Sequence, residues 1–267
     1  MSPVVILLIV SLAVSAIGWK YFIYFFSLGY GFSIVALGAA MVCMFYGTAS
    51  VPSLFLCSVL VLYGCRLGCF LYRREKKSAA YRRILFDKSL QVKKPLFEVI
   101  TVWVFCALLY VAEVSPVLFR LENEAAGIPV CSLWAYIGVA LMVAGAALEA
   151  AADAQKSAAK KLNPDKFVST GLYRMVRCPN YFGEILFWTG CFVSGIGASL
   201  AIWHWVVASV GYLGILFVMF SGARRLELRQ NKVYGDNPEY LQYVKTTPVL
   251  IPFVPLYSVA KYKFLVA

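Results

Sequence analysis

A single histidine, His204, stands among 267 residues. One imidazole excludes bis-histidine haem ligation, His-cluster iron sites and HExxH zinc chemistry, and no metal centre is expected. Charge is scarce: 14% of residues are Asp, Glu, Lys or Arg, against about a quarter in a soluble domain. Acids are scarcer still, 13 against 25 Lys and Arg. Neither a GxGxxG run after a strand nor a GxxxxGK run followed by Ser or Thr occurs. Any nucleotide must therefore be held by helices and their loops. Internal repeats, low-complexity tracts and β-barrel alternation are missing too.

What is present is apolar: 61% of the chain. That excess has no place in a water-soluble core, so the chain reads as an all-α integral membrane protein, one domain over residues 1–267. A span needs about 20 mostly apolar residues. Seven segments qualify, roughly 3–19, 21–46, 52–72, 95–118, 131–152, 180–198 and 201–221. The rival reading of 1–19 is a secretory signal peptide, but its basic leader is missing. All eight cysteines lie in or beside these segments. Cys65 and Cys69 share a helix face at i, i+4. With no His or second Cys pair beside them, they read first as small apolar side chains, then as disulfide or metal partners.

The basic residues are confined. Residues 73–94, 153–178 and 222–267 together hold 22 of the 25 Lys and Arg and 7 of the 13 acids. They follow the third, fifth and seventh segments, which places them in the cytoplasm and the N-terminus on the other side. The C-terminus is then cytoplasmic, and the lipid bilayer is the chain's first partner. Nucleic acid is not expected, because no soluble domain is present to bind it. The membrane is the bacterial inner membrane or the endoplasmic reticulum.

Ionisable groups inside a span are costly, so each is a candidate for function and also for plain structural pairing. Arg66 follows Tyr63 by three residues, on one helix face. Glu149 and Asp153 lie at i, i+4 near the cytoplasmic end of the fifth span, with Gln155 and Lys156 beside them. Glu184 stands one turn into the sixth, and Glu98 and Glu113 lie in the fourth, Glu98 close to the membrane surface. His204, between Trp203 and Trp205, reads as part of an interfacial aromatic belt.

The densest cluster is NPDKFVSTGLYRMVRCPNYFGEILFWTG, residues 163–190. Lys166, Arg174 and Arg177 precede a helix whose first residue is Pro179. Its start offers free N–H groups and a positive dipole end, suited to an anion. Asn180 and Glu184 sit one above the other, an amide and a carboxylate able to read a polar ring or a ribose. Arg and Lys nearby suit phosphates. A second basic cluster, Arg224, Arg225, Arg229 and Lys232, follows the seventh span. In the tail, Tyr240 and Tyr243 predict a short amphipathic helix.

These residues resemble the membrane steroid 5α-reductase family, including its bacterial relatives. The likeness is best over 145–198 and 222–254 and extends over 60–85. It rests on LEAAADAQKSAAK, on NPDKFVSTGLYRMVRCPNYFGEILFWTG and on the closing TPVLIPFVP. The resemblance implies seven helices around a pocket, NADPH as cofactor and reduction of an enone double bond. It implies that Asn180 and Glu184 contact the nicotinamide–ribose end, with Tyr181 also in the cofactor site. Asp153 and Glu149 add polar contacts. Lys160, Lys166, Arg225 and Arg229 surround the phosphates and adenosine, with Arg174 and Arg177 in the same basic group. Tyr63 and Arg66 match a family Tyr-x-x-Arg whose Tyr donates to the substrate carbonyl.

The chain departs from that family in FFSLGYGFSIVALG, which lacks the early-span Gln-Glu pair of the animal steroid enzymes. The expected substrate is thus a steroid-like enone or another lipid enone. A membrane methyltransferase using S-adenosylmethionine, of the isoprenylcysteine carboxyl methyltransferase type, is the alternative enzyme. A transporter or receptor is the alternative without chemistry.

Overall fold

The computed structural model describes residues 1–77 and 94–265; of the first basic segment, residues 78–93 lie outside the described residues. Among the described residues all regular structure is helical: eight α-helices and three short 3₁₀ turns, with no strand. The helices are α1 Pro3–Ser15, α2 Leu28–Phe45, α3 Val51–Lys77, α4 Leu96–Ala125, α5 Ser132–Leu162, α6 Pro179–Val193, α7 Ile202–Tyr234 and α8 Pro238–Thr246. Five are long and apolar enough to cross a membrane: α2, α3, α4, α5 and α7.

The seven apolar segments each contain one helix, but the ends differ from the hydropathy boundaries. Helices α4, α5 and α7 run on past the apolar stretch, to Ala125, Leu162 and Tyr234. The reason is chemical: Lys, Arg, Glu and Gln are good helix formers, so a change to polar residues marks the membrane edge, not the helix end. The first two segments are interrupted instead. α1 ends at Ser15, and Ala16–Trp19 and Phe22–Phe26 are 3₁₀ turns. Gly18 permits this close turn, since a side chain there would run into the ring of Phe25. The sixth segment stops at Val193, where Ser194 Oγ donates back to the Cys191 carbonyl at 2.6 Å and Ser199 takes a positive φ of 52°.

The chain divides into two compact units. The first comprises residues 1–139 and 191–212, the second 140–190 and 213–267.

The first unit is built on glycine contacts between α2 and α3. A Cβ on Gly31 would lie 2.9 Å from the Cα of Gly68, and one on Gly64 2.7 Å from the Gly31 carbonyl oxygen. Only hydrogen fits there, which is how small-xxx-small stripes bring membrane helices together. At another point a fully buried Arg120 ties several elements. Its Nε donates to Ser53 Oγ at 2.8 Å and lies 3.3 Å from Glu124, and its Nη1 donates to the Cys131 carbonyl at 3.1 Å. Asn123 Nδ2 donates to the Ala198 carbonyl at 2.7 Å. His204 stacks on Phe119 with ring centroids 4.1 Å apart and touches Trp203, and Trp205 meets Phe192. The expected aromatic cluster is therefore present. Glu98 is surface-exposed and paired with Lys94 at 2.6 Å.

The second unit is closed by its own tail. The N–H groups of Arg177 and Cys178, at the mouth of α6, donate to the carbonyls of Pro248 and Val249 at 2.8 and 2.9 Å. The expected tail helix is α8. Asn237 caps it, Oδ1 accepting from the N–H of Glu239 and of Tyr240, and Pro238 fills its first turn. Phe167 packs among Tyr234, Tyr240 and Tyr243.

Candidate functional site

The second unit holds its polar residues where two helices touch backbone to backbone. A Cβ on Gly145 of α5 would lie 2.5 Å from the Gly183 carbonyl oxygen, and one on Gly183 of α6 would lie 2.7 Å from the backbone nitrogen of Glu149. The sequence permits that approach because both positions are glycine. Glu149 follows Gly145 by one turn, and Glu184 is the neighbour of Gly183. The crossing therefore sets two carboxylates at one helix junction, with Asp153 one turn further along α5. All three are buried, at 4%, 7% and 8% exposure for Glu149, Glu184 and Asp153. Burying a carboxylate costs several kcal/mol unless it is compensated.

Helix α6 starts at Pro179, as its place in the sequence predicts. Asn180 and Tyr181 are half-buried in its first turn. Tyr181 lies against α7, where a Cβ on Gly222 would lie 3.3 Å from its ring. The connection before α6 is braced on α5. Leu172 N–H donates to Gln155 Oε1 at 2.9 Å, and Tyr173 donates to the Ala152 carbonyl at 3.2 Å. Gly171 takes a φ of +62° there, with its missing side chain in the place of the Gln155 amide. Tyr243 in turn donates to the Tyr173 carbonyl at 2.6 Å. Burial raises the Tyr173 hydroxyl well above the usual phenol range, and the negative charge of Asp153 adds to it. Burial likewise pushes the Cys178 thiol up to about 11, against the opposing pull of Lys156 and Arg177.

The six basic residues expected at phosphates part into two sets. Arg174, Arg225 and Arg229 are exposed. The other three are engaged within the protein. Lys160 Nζ donates to the Pro164 carbonyl at 2.8 Å and to the Tyr234 hydroxyl at 3.1 Å. Lys166 pairs with Glu239 at 3.2 Å on the surface. Arg177 is buried. It pairs with Glu227 at 3.2 Å and donates to the Tyr257 carbonyl at 2.6 Å. Its work in this structure is to hold the tail against α7, because an unpaired guanidinium in that position would be far too costly.

Tyr63 and Arg66 belong to the first unit. Tyr63 is 2% exposed, and the Arg66 guanidinium carbon lies 5.4 Å from its ring centroid, as the spacing of three on one helix implies. They flank Gly64 and Gly68, so the α2–α3 contact holds them on a tightly packed stretch of helix.

Sequence reasoning missed several residues. Glu227 is a lone acid inside a basic run, which is itself a signal for an internal partner. Gly145 and Gly183 carried no local signal, because their meaning depends on which helices cross. Glu75 belongs by position to the first basic segment, yet it is 4% exposed and accepts from Ser27 Oγ at 3.0 Å. Gly64 and Gly68 are readable as a Gly-x-x-x-Gly pair in an apolar helix.

A family profile described as a protein of unknown function, DUF1295, matches residues 25–247. No curated protein matches the chain. No solved structure matches it either.

Proposed function

The chain belongs to the DUF1295 family, which is related to the steroid 5α-reductases, and from that premise we propose that it is a membrane-embedded, NADPH-dependent reductase of a lipid enone. The observation that carries this reading is the helix junction of the second unit. Buried Glu149, Asp153 and Glu184 share the two helices of that junction with a half-buried Asn180, in a unit whose Arg174, Arg225 and Arg229 are exposed. The donor set suits a dinucleotide: carboxylates and an amide for a ribose and a carboxamide, guanidiniums for phosphates. Three guanidiniums favour NADPH over NADH, because a 2′-phosphate needs a cation. Asn180, Glu184, Asp153 and Glu149 are assigned the nicotinamide–ribose end and Arg174, Arg225 and Arg229 the phosphates. Lys160 and Lys166 shape the neighbouring loop through Pro164 and Glu239.

When bound, the cofactor supplies a hydride to the β-carbon of the enone. The chain's own part is electrostatic. Tyr63 is the donor to the substrate carbonyl, where negative charge develops as the enolate forms. The Arg66 guanidinium, 5.4 Å from the Tyr63 ring centroid, sets a cation beside that donor. A preorganised donor of this kind is worth about 3–4 kcal/mol, or 10²–10³ in rate. A proton from solvent then completes the α-carbon.

We read seven membrane-embedded helices, with the N-terminus non-cytoplasmic. Five long apolar helices, the shorter apolar stretch Pro3–Trp19 and the 15-residue α6 support that count. The three basic segments support the orientation.

The reading is tested by thermal unfolding of the detergent-purified protein with NADPH, NADH or S-adenosylmethionine. Ligand at a hundredfold excess over its Kd should stabilise by about 2.7 kcal/mol. We expect a shift with NADPH that is lost in Glu184→Gln, and NADPH oxidation in a panel of lipid enones. Tyr63→Phe should lower turnover by about 10²–10³ and leave the NADPH shift intact. A shift with S-adenosylmethionine and none with NADPH would replace the reductase by a methyltransferase.

A further inference from the structure

A separate groove lies between the end of the apolar part of α7 and the closing tail. Leu216, Phe217 and Phe220 of α7 face Leu256, Val259 and Phe264 of the tail across about 340 Å³. The ring of Tyr262 completes the wall, and every lining residue is apolar or aromatic. The tail wall is held in place from beneath. Arg224 Nε donates to the Ala260 carbonyl at 3.1 Å and its Nη1 to the Leu265 carbonyl at 2.9 Å. The Val259 N–H donates to the buried Glu227 carboxylate at 2.8 Å. The groove nevertheless opens outward, for Phe217 is 43% and Phe264 70% exposed.

Its position along α7 says what kind of surroundings it meets. Phe220 precedes Arg224 by one turn, and from there the helix carries Arg224, Arg225, Arg229 and Lys232. On a spanning helix that change from apolar to basic marks the boundary between hydrocarbon and headgroups. The groove therefore ends at the headgroup level. At that level the tail places Lys261 and Lys263, both exposed, on either side of Tyr262, and residues 248–265 include no acid. Lys261 Nζ lies 5.2 Å from the Tyr262 ring. An apolar slot below and two exposed cations above match an amphiphile with an anionic head. The family match ends at residue 247, before this wall begins.

We propose that the groove seats one acyl chain of an anionic phospholipid, whose phosphate is held by Lys261 and Lys263. The site is independent of the reductase reading, since it uses none of the residues assigned to cofactor or substrate. A bound lipid would complete the apolar surface of the tail and fasten it to the membrane.

The test uses the full chain in nanodiscs of phosphatidylcholine and phosphatidylglycerol with matched acyl chains, and native mass spectrometry of the lipid that stays bound. Wild type should retain phosphatidylglycerol over phosphatidylcholine by on the order of tenfold relative to the bilayer composition. The exposed double variant K261E/K263E should fold normally and lose the preference. V259W, which fills the slot, should lose the bound lipid; if V259W fails to fold, the lysine variant decides alone. Retention in the bilayer ratio by wild type, or an unchanged preference in K261E/K263E, overturns the proposal. So does displacement of the lipid by glycerol phosphate at a concentration equal to that of the lipid, because the acyl chain would then contribute nothing.

Discussion

The two units of this protein use the same device to bring helices together and then fill the contact differently. In the first, Gly31, Gly64 and Gly68 let α2 and α3 touch, with Tyr63 and Arg66 on the same stretch of α3. One of its polar features, Arg120 with Glu124, Ser53 and the Cys131 carbonyl, ties loops to helices. In the second, Gly145 and Gly183 bring α5 and α6 equally close, and the junction carries Glu149 and Glu184 with Asp153 beyond. Close packing alone needs no acids. The first unit buries acids too, Glu75 and Glu113, the latter beside the close approach of Gly211. The second gathers three acids on the two helices of one contact, which makes that junction the candidate site.

The comparison is sharpened first at the glycines. Gly145→Leu and Gly64→Leu each drive a side chain into backbone, at a cost above about 4–5 kcal/mol. Both should yield no monodisperse folded protein in detergent by size-exclusion chromatography. A folded Gly145→Leu would mean that α5 and α6 do not depend on this contact. Next comes the buried pair of the second unit. Glu227→Ala leaves Arg177 buried without its carboxylate and should destabilise by about 3–5 kcal/mol in thermal unfolding. Replacing both partners, R177M/E227M, should recover most of that loss. If the double variant is no better than the single one, the carbonyl of Tyr257 and the N–H of Val259 matter more than the ion pair. The smallest effect belongs to the first unit. Lys94→Ala removes an exposed i, i+4 pair with Glu98 and should cost about 0.3–0.5 kcal/mol, vanishing at high salt.

Much of the fold was legible beforehand, for reasons these elements make plain. A segment of 20 apolar residues has one stable conformation in hydrocarbon, because only a helix satisfies its own backbone. Hence each apolar segment contains a helix, and five of these helices are long and apolar enough to cross a membrane. The starts of α6 and α8 were legible too, since Pro179 and Asn237-Pro238 are local signals. The helix ends of α4, α5 and α7 were not, because polarity and helicity part company at the membrane edge. Of the candidate site, the acids stood out by their cost. The division of the basic residues did not: charge pattern treats Arg177 and Arg174 alike, yet one is buried on Glu227 and the other is exposed.

Hydropathy and the placement of charge along the chain indicated the solvent, the helical class and the confinement of positive charge to three segments. The scarcity of His excluded whole classes of metal chemistry at the outset. Those properties follow from transfer free energies, which add residue by residue. Which lysines and arginines are engaged, which acids meet at one junction, and where the tail folds back on α7 were decided by the tertiary structure. Such facts depend on contacts between residues distant in the chain, and a hydrogen's width of space at Gly145 or Gly183 settles them.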